Sequence, residues 1–198
     1  MYATSILLHY FTKWKLQVNI HKTEAILFTR CQPIPPAPLH FQHTVIPWNT
    51  QVQYLSLLLH SKLLCMRHLT SIIHKATSIF LQLFPLLAHD STLSIPNKIT
   101  LYKLCICSIV TYAAPVRSNT SSYNYRRLQI SQSKCLRVIG NFPRHTPILR
   151  LHTTLNITRI RNFIYHLTAN FFDRCSAQPN PLVRSIGNYS LADLLSPV

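Results

Sequence analysis

The spacing of the apolar residues changes once along the chain, and that change limits the folds open to it. Between Leu39 and about Leu59 they alternate, with Leu39 and Phe41, then Val45, then Val52 and Tyr54, the period of half-buried strands. From Met66 the spacing becomes three and four, through Leu69, Ile72, Ile73, Ala76, Ile79, Phe80 and Leu83, which puts one stripe on one face of a helix. Strands first and helices after predict an α+β fold, a small hairpin-and-strand part followed by a helical bundle.

Ahead of the alternating region, the sequence reads as an amphipathic helix ending in Lys13-Trp14-Lys15. A strand through Leu16, Val18 and Ile20, a polar turn over Asn19 to Lys22 and a second strand from Ala25 to Phe28 follow. Cys31 to Pro38 is too rich in proline to be helical. In the helical part, Pro85 ends or kinks the first helix. Ser94 and Pro96 open the next as N-cap and first-turn proline, and it runs to about Tyr112. Ser121 or Ser122 caps a third helix to Ile139, closed by Gly140 and Asn141 ahead of Pro143. A fourth spans about Leu155 to Arg174, and a short turn over Leu191 to Leu195 is expected in the tail. The domains expected are therefore 1–62, 63–178 and a tail of 179–198.

Charge narrows the partners. Of 198 residues, 20 are Lys or Arg and only four (Glu24, Asp90, Asp173, Asp193) are acidic, a formal +16. A domain so unbalanced repels itself unless a polyanion neutralises it, so nucleic acid is the first partner to consider and an anionic membrane the second. Compositional drift competes as an explanation, since two Gly stand against thirteen Pro. At 47% hydrophobic the chain has material for a core. Its longest apolar stretch, Leu104 to Val116, falls short of the ~20 residues of a membrane helix, and the first residues lack the charged leader of a signal peptide. The six Cys form no paired framework, and Cys105 and Cys107 read as small buried hydrophobes. A reducing, intracellular setting, cytoplasmic or nuclear, is the expectation.

Four scattered carboxylates give no local pair of the kind that holds the two metal ions of phosphoryl transfer, and no Gly-rich phosphate loop is present. No catalytic residue, metal site, cofactor or small-molecule substrate is assigned. Among eleven His, only Cys65, His68 and His74 cluster locally, and the second half of a zinc ligand set does not follow. The third helix is more informative. At ~100° per residue, Arg126, Arg127, Lys134 and Arg137 share a sector of roughly 100°, opposite Leu128, Cys135, Ile139 and Phe142. That gives one face for a core and one for phosphates, with contacts independent of sequence and weakened by salt. The candidate nucleic-acid contacts are Lys13, Trp14, Lys15, Lys22, Tyr54, Arg126, Arg127, Lys134, Arg137 and Arg144. Trp14 either stacks on a base or sugar or packs on the core, and Tyr54 divides the same way.

Five blocks in order carry a family resemblance. The run from Lys13 to Arg30 fits KWxLxxNxxKTxxxxFTR. Val52-Gln53-Tyr54-Leu55 is followed by Leu63 and His68. Leu101-Tyr102-Lys103 leads to Thr111-Tyr112-Ala113-Ala114-Pro115-Val116. Leu128-Gln129 leads to Gln132-Ser133-Lys134-Cys135-Leu136-Arg137-Val138-Ile139, and Pro179-Asn180-Pro181-Leu182 closes the series. Together they resemble the reverse transcriptases of jockey-type non-LTR retrotransposons. The resemblance implies the end of a polymerase palm followed by a thumb-like bundle. It places the family's magnesium-binding Tyr-Ala-Asp-Asp turn upstream of Lys13, so it implies a C-terminal piece of an RNA-directed DNA polymerase without catalysis of its own, holding RNA–DNA or DNA duplex. The alternative from another class is a transposon-derived helical protein-interaction module, or a relic without function. The chain departs from the family at Ser56 and Ala113, where the family has Gly, at His60, where it has Asp, and at Arg117, where it has Trp.

Overall fold

The computed structural model describes residues 2–29, 37–41 and 44–186. It divides at His68/Leu69 into two compact units. Arg30, Cys31, His43, Asp193, most of the proline-rich connector and the turn expected over Leu191 to Leu195 lie outside the described residues.

The first unit opens with α1 (Tyr2–Lys13). The strand expected through Leu16, Val18 and Ile20 is not there, because Ile20–Lys22 form a 3₁₀ turn. Its closing bond runs from the Thr23 amide to the Ile20 carbonyl at 3.0 Å. The second expected strand, Ala25 to Phe28, reduces to one parallel bridge between Ala25 and Trp48. Here the alternating pattern was real, but the segment is tied down only at its ends, by Asn49 N–H to the Ala25 carbonyl and Thr29 N–H to the Ser61 carbonyl.

Two antiparallel hairpins follow where a hairpin and a strand were expected. The first pairs β1 (Leu39–Phe41) with β2 (Thr44–Ile46), and the second pairs β3 (Gln51–Tyr54) with β4 (Leu57–His60). Leu39 faces Ile46 and Phe41 faces Thr44 in the first, so Phe41 and Ile46 are buried and Val45 points outward. The expectation of Val45 on the inner face is off by one residue, which in a strand exchanges the faces completely. His68 fixes β4 from below: its Nδ1 accepts from the Leu58 amide at 3.3 Å, which requires the hydrogen to sit on Nε2.

In the second unit the long helix α2 (Met66–Leu87) passes through Pro85 and ends only two residues later. The proline removes one donor in the last turn, where the helix is about to stop. Beyond it, Lys98 Nζ donates to the Ala88 carbonyl at 2.6 Å. Ser94 stands as N-cap and Pro96 in the first turn of α3 (Ile95–Leu101). The helix continues through a π-helical turn, Tyr102–Cys107, into α4 (Ser108–Thr111). After α5 (Ala114–Arg117) comes α6 (Ser122–Ile139), whose N-cap Ser121 accepts from the Asn124 amide as expected.

The stop of α6 shows how the sequence closes helices with so little glycine. The Phe142 amide reaches the Arg137 carbonyl at 2.9 Å and the Asn141 amide the Val138 carbonyl at 3.4 Å, the two bonds of a Schellman motif. Asn141, at φ 51°, takes the left-handed position. Gly140 is needed for space instead, since a Cβ there would lie 2.2 Å from the Phe142 ring. The same pair of bonds closes α7 (Ile148–Leu155), with Asn156 at φ 50°. That stop explains why the fourth expected helix begins late. Its first residue, Leu155, belongs to α7, and α8 runs Ile160–Ser176. A short α9, Pro181–Arg184, starts on Asn180, whose side chain accepts from the Leu182 amide.

α6 is the centre of this unit, packed on α3, α7 and α8. Leu128, Leu136, Leu151, Ile160 and Ile164 are almost wholly buried around it.

Both positions where the family resemblance has glycine turn out to be left-handed. Leu55 and Ser56, the two residues between β3 and β4, have φ of 46° and 63°, and Ala113 has 51°. Two positive φ values in a two-residue hairpin loop are the requirement of a type I′ turn, which favours Asn and Gly. Non-glycine residues carry a penalty there of about 1–2 kcal/mol. Ser56→Gly and Ala113→Gly are each expected to raise the unfolding free energy by about 0.5–1 kcal/mol, because glycine also frees the unfolded chain by about 0.4–1 kcal/mol. Urea denaturation midpoints check this, and an unchanged or lower midpoint contradicts it.

Candidate nucleic-acid interface

Most exposed residues of α6 lie on one side of the helix and most buried ones on the other, with buried Ser133 at the boundary. Tyr123, Arg126, Ile130 and Lys134 are exposed, while Asn124, Leu128, Gln132, Cys135 and Ile139 are buried on the opposite side. Positioning comes from two buried polar joints. Gln132 donates Nε2 to the Thr158 carbonyl at 3.1 Å, and its Oε1 accepts from the Ile160 amide at 2.9 Å, so one side chain ties α6 to the start of α8. His152 on α7 bridges the Ile157 carbonyl through Nδ1 at 2.8 Å and Gln129 Nε2 through its own Nε2 at 2.9 Å. With Nδ1 donating and Nε2 accepting, both contacts suit one neutral tautomer.

The four expected cations of the basic sector divide by how far they are engaged. Arg126 and Lys134 are exposed, Arg127 is half-buried with Nη2 on Thr70 Oγ1 at 3.1 Å, and Arg137 reaches the Thr146 carbonyl at 3.4 Å. Arg137 Nε is buried and has no hydrogen-bond partner among the described residues. Arg144 stands exposed in the turn closed by Thr146 N–H on the Pro143 carbonyl. Beside this face, Ile73, Phe80 and Leu81 of α2 and Arg127, Ile130 and Lys134 of α6 line a groove of about 300 Å³.

In the first unit Lys13, Lys15 and Lys22 are exposed. Trp14 is 60% exposed, so the core reading fails, and its ring lies tilted 6.3 Å from that of Tyr10. Tyr54, 62% exposed, ends β3 beside the left-handed turn.

Other buried cations were missed by the sequence reading. Lys98 and Arg117 are 3% and 2% exposed. Arg117 donates Nε to the Tyr112 carbonyl and Nη2 to the Val110 carbonyl, which places positive charge on the carbonyl end of α4. The available signal was its position shortly after the last turn of an apolar helix, where carbonyls lack partners. Arg184 similarly donates to the Gln178 and Pro179 carbonyls.

Acid chemistry is sparse. Glu24 and Asp173 are exposed, and Asp90 pairs with His89 at 2.7 Å. Among the described residues, no three His, Cys, Asp or Glu side chains converge on a metal-sized site, and Cys65, His68 and His74 are not brought together as one. Burial pushes the Cys107 thiol up, and Cys135 up to about 12. It also pushes up the Tyr102 hydroxyl, which lies beside Cys107 and Gln132. These groups are neutral packing elements. Cys105, expected buried, is half-buried. No helix among the described residues is long and apolar enough to cross a membrane.

The geometry defines a helical unit with one basic exposed helix face, preceded in sequence by two hairpins. Comparison with known proteins narrows this. The chain is similar to RNA-directed DNA polymerases of jockey-like non-LTR retrotransposons. It is 25% identical over 175 residues to the RNA-directed DNA polymerase from mobile element jockey of Drosophila funebris. To the probable RNA-directed DNA polymerases from transposon BS and transposon X-element of Drosophila melanogaster it is 27% identical over 175 and 25% over 177 residues. Each match takes in 88% of this chain and 19% of the relative, so the chain spans about a fifth of the length of those proteins. No family model matches, and no solved structure does.

His152 carries a pH signature. Burial lowers its pKa below the usual 6.5, with Arg159 adding to the effect and the Ile157 carbonyl opposing it. A depressed folded pKa means that the unfolded chain binds the extra proton first. The joint's contribution is therefore complete above pH ~6.5 and is lost as pH falls toward and through the folded value. His152→Gln is expected to flatten this acid-side loss, at a cost of about 1–2 kcal/mol at pH 7.5 from the disturbed hydrogen bonds. Urea unfolding between pH 7.5 and 5 reads both effects.

Proposed function

We propose that this chain is a palm-end and thumb-like part of a non-LTR retrotransposon RNA-directed DNA polymerase, and that it holds nucleic acid by its phosphates without carrying out nucleotidyl transfer. One observation carries the reading: the exposed sector of α6 presents Arg126 and Lys134, flanked by Arg127 and Arg137, with no carboxylate on that helix. An undiluted line of cations on a rigid helix suits a phosphate backbone, which is a regular row of negative charge. Tyr123 and Ile130 between the cations add apolar contact to sugars.

Contacts of this kind fix position on a duplex without reading its sequence. In the first unit, Lys13, Trp14, Lys15 and Lys22 are further exposed basic and aromatic residues, and Tyr54 ends a hairpin strand, residue types suited to a backbone or a terminal base. The described acids do not fit the metal pair that such polymerases need, since Glu24, Asp90 and Asp173 are scattered and exposed. The reduced thiols at Cys105, Cys107, Cys135 and Cys175 favour a reducing cytoplasmic or nuclear setting.

Fluorescence anisotropy with labelled RNA–DNA hybrid and DNA duplex at rising salt tests the proposal. Affinity is expected to fall steeply with salt and to be the same for unrelated sequences. Replacing Arg126 and Lys134 by alanine should lower the slope of log K against log salt by about 0.9 for each duplex phosphate that the variant no longer neutralises. No salt-dependent binding to either polymer at low ionic strength would overturn the reading and favour a protein-docking module instead.

A further inference from the structure

A separate hollow on the helical unit combines aromatic faces with one guanidinium, and its chemistry differs from that of the α6 stripe. Arg161, Tyr165, Thr168 and Phe172 lie at spacings of four, three and four along α8, which places them on one face of that helix. With Tyr125 of α6 and the Ser118 to Thr120 segment after α5, they enclose about 490 Å³ open to solvent. That size lies within the roughly 300–1,000 Å³ typical of small-ligand clefts.

The parts are held in place. Tyr125 donates its hydroxyl to the Ser118 carbonyl at 2.6 Å, which fixes the ring, and Arg161 lies over that ring at 5.4 Å from its centre. The guanidinium is thus positioned by a cation–π contact and still exposed. Tyr165 is 69% exposed, a large planar face presented to water. Among the described residues, no carboxylate lines the hollow. The rim is supplied by Ser118, Asn119 and Thr120, which offer both donors and acceptors.

We propose that this hollow receives one unpaired nucleotide of a single strand, its base stacked on Tyr165 against Phe172 and its phosphate on Arg161. A π face suits any base, and a lone cation beside it suits the phosphate next to that base. The hydroxyl and amide rim suits sugar and base edges without imposing one base identity. A duplex end cannot use the hollow in this way, because its bases are already stacked and paired. The proposal rests on the nucleic-acid reading of the chain and deepens it: the α6 face holds the backbone of any strand, and this hollow takes the unpaired base.

The experiment compares a labelled single-stranded homopolymer with a blunt duplex of equal length, using the full chain and anisotropy at low salt. Tyr165→Ala is expected to weaken single-strand binding by about tenfold, the loss usual for one stacked base, and to leave duplex binding within about twofold. Tyr165→Phe should retain the single-strand affinity, since the ring remains. Arg161→Lys should weaken the single strand less than Arg161→Ala. Because Tyr165 is exposed, its alanine variant should unfold at the same urea concentration as the unaltered chain, which separates weaker binding from misfolding. Equal losses on both polymers, or no loss on the single strand while the duplex still binds, would overturn the hollow and leave the α6 reading intact. Failure of the unaltered chain to bind either polymer would overturn both.

Discussion

Positive charge without counter-charge governs this protein. A chain with 20 Lys and Arg and four acids cannot neutralise buried cations with carboxylates, so it uses backbone carbonyls. Lys98 bonds the carbonyl of Ala88 beyond the end of α2, and Arg117 those of Val110 and Tyr112 around the end of α4. Helix C-termini carry partial negative charge and unpaired acceptors, so each contact satisfies a cation and a carbonyl together. The basic residues are in this way sorted into those that hold helix ends and those, such as Arg126 and Lys134, that face solvent.

The same sorting separates structural from functional meaning in the residues that carry the family resemblance. His68 holds the Leu58 amide, Gln132 joins α6 to α8, and Asn180 caps α9. Each answers a hydrogen-bonding need of this fold. The departures from the family are equally structural. Ser56 and Ala113 sit at left-handed backbone positions suited to glycine. Arg117, where the resemblance has Trp, binds the Tyr112 and Val110 carbonyls.

The helical half was legible from spacing and caps. Ser121, Pro96 and the apolar stripes of α2 and α6 fixed element type and most boundaries, because burying one face of a helix demands a regular repeat. Between Lys13 and Phe28 the helix end and the turn form as expected and the two strands do not. Leu16, Val18 and Ile20 alternate, but a strand needs a partner along its length, and among the described residues of that segment only Ala25 finds one, at Trp48. The break at Asn156 was missed because an asparagine in the left-handed conformation gives a weaker local signal than glycine.

For the candidate site, the sequence alone determined that Arg126, Arg127, Lys134 and Arg137 share one side of a helix, since 3.6 residues per turn leaves no alternative once the helix forms. It also determined the lack of acids beside them. Only the tertiary structure decided that Arg127 bonds Thr70 and Arg137 bonds Thr146, and that Trp14 lies in solvent. It alone brought Tyr125 under Arg161 and set Tyr165 beside both. Contacts between residues distant in sequence depend on how helices pack, and helix packing follows from the shapes of whole buried surfaces rather than from any local pattern.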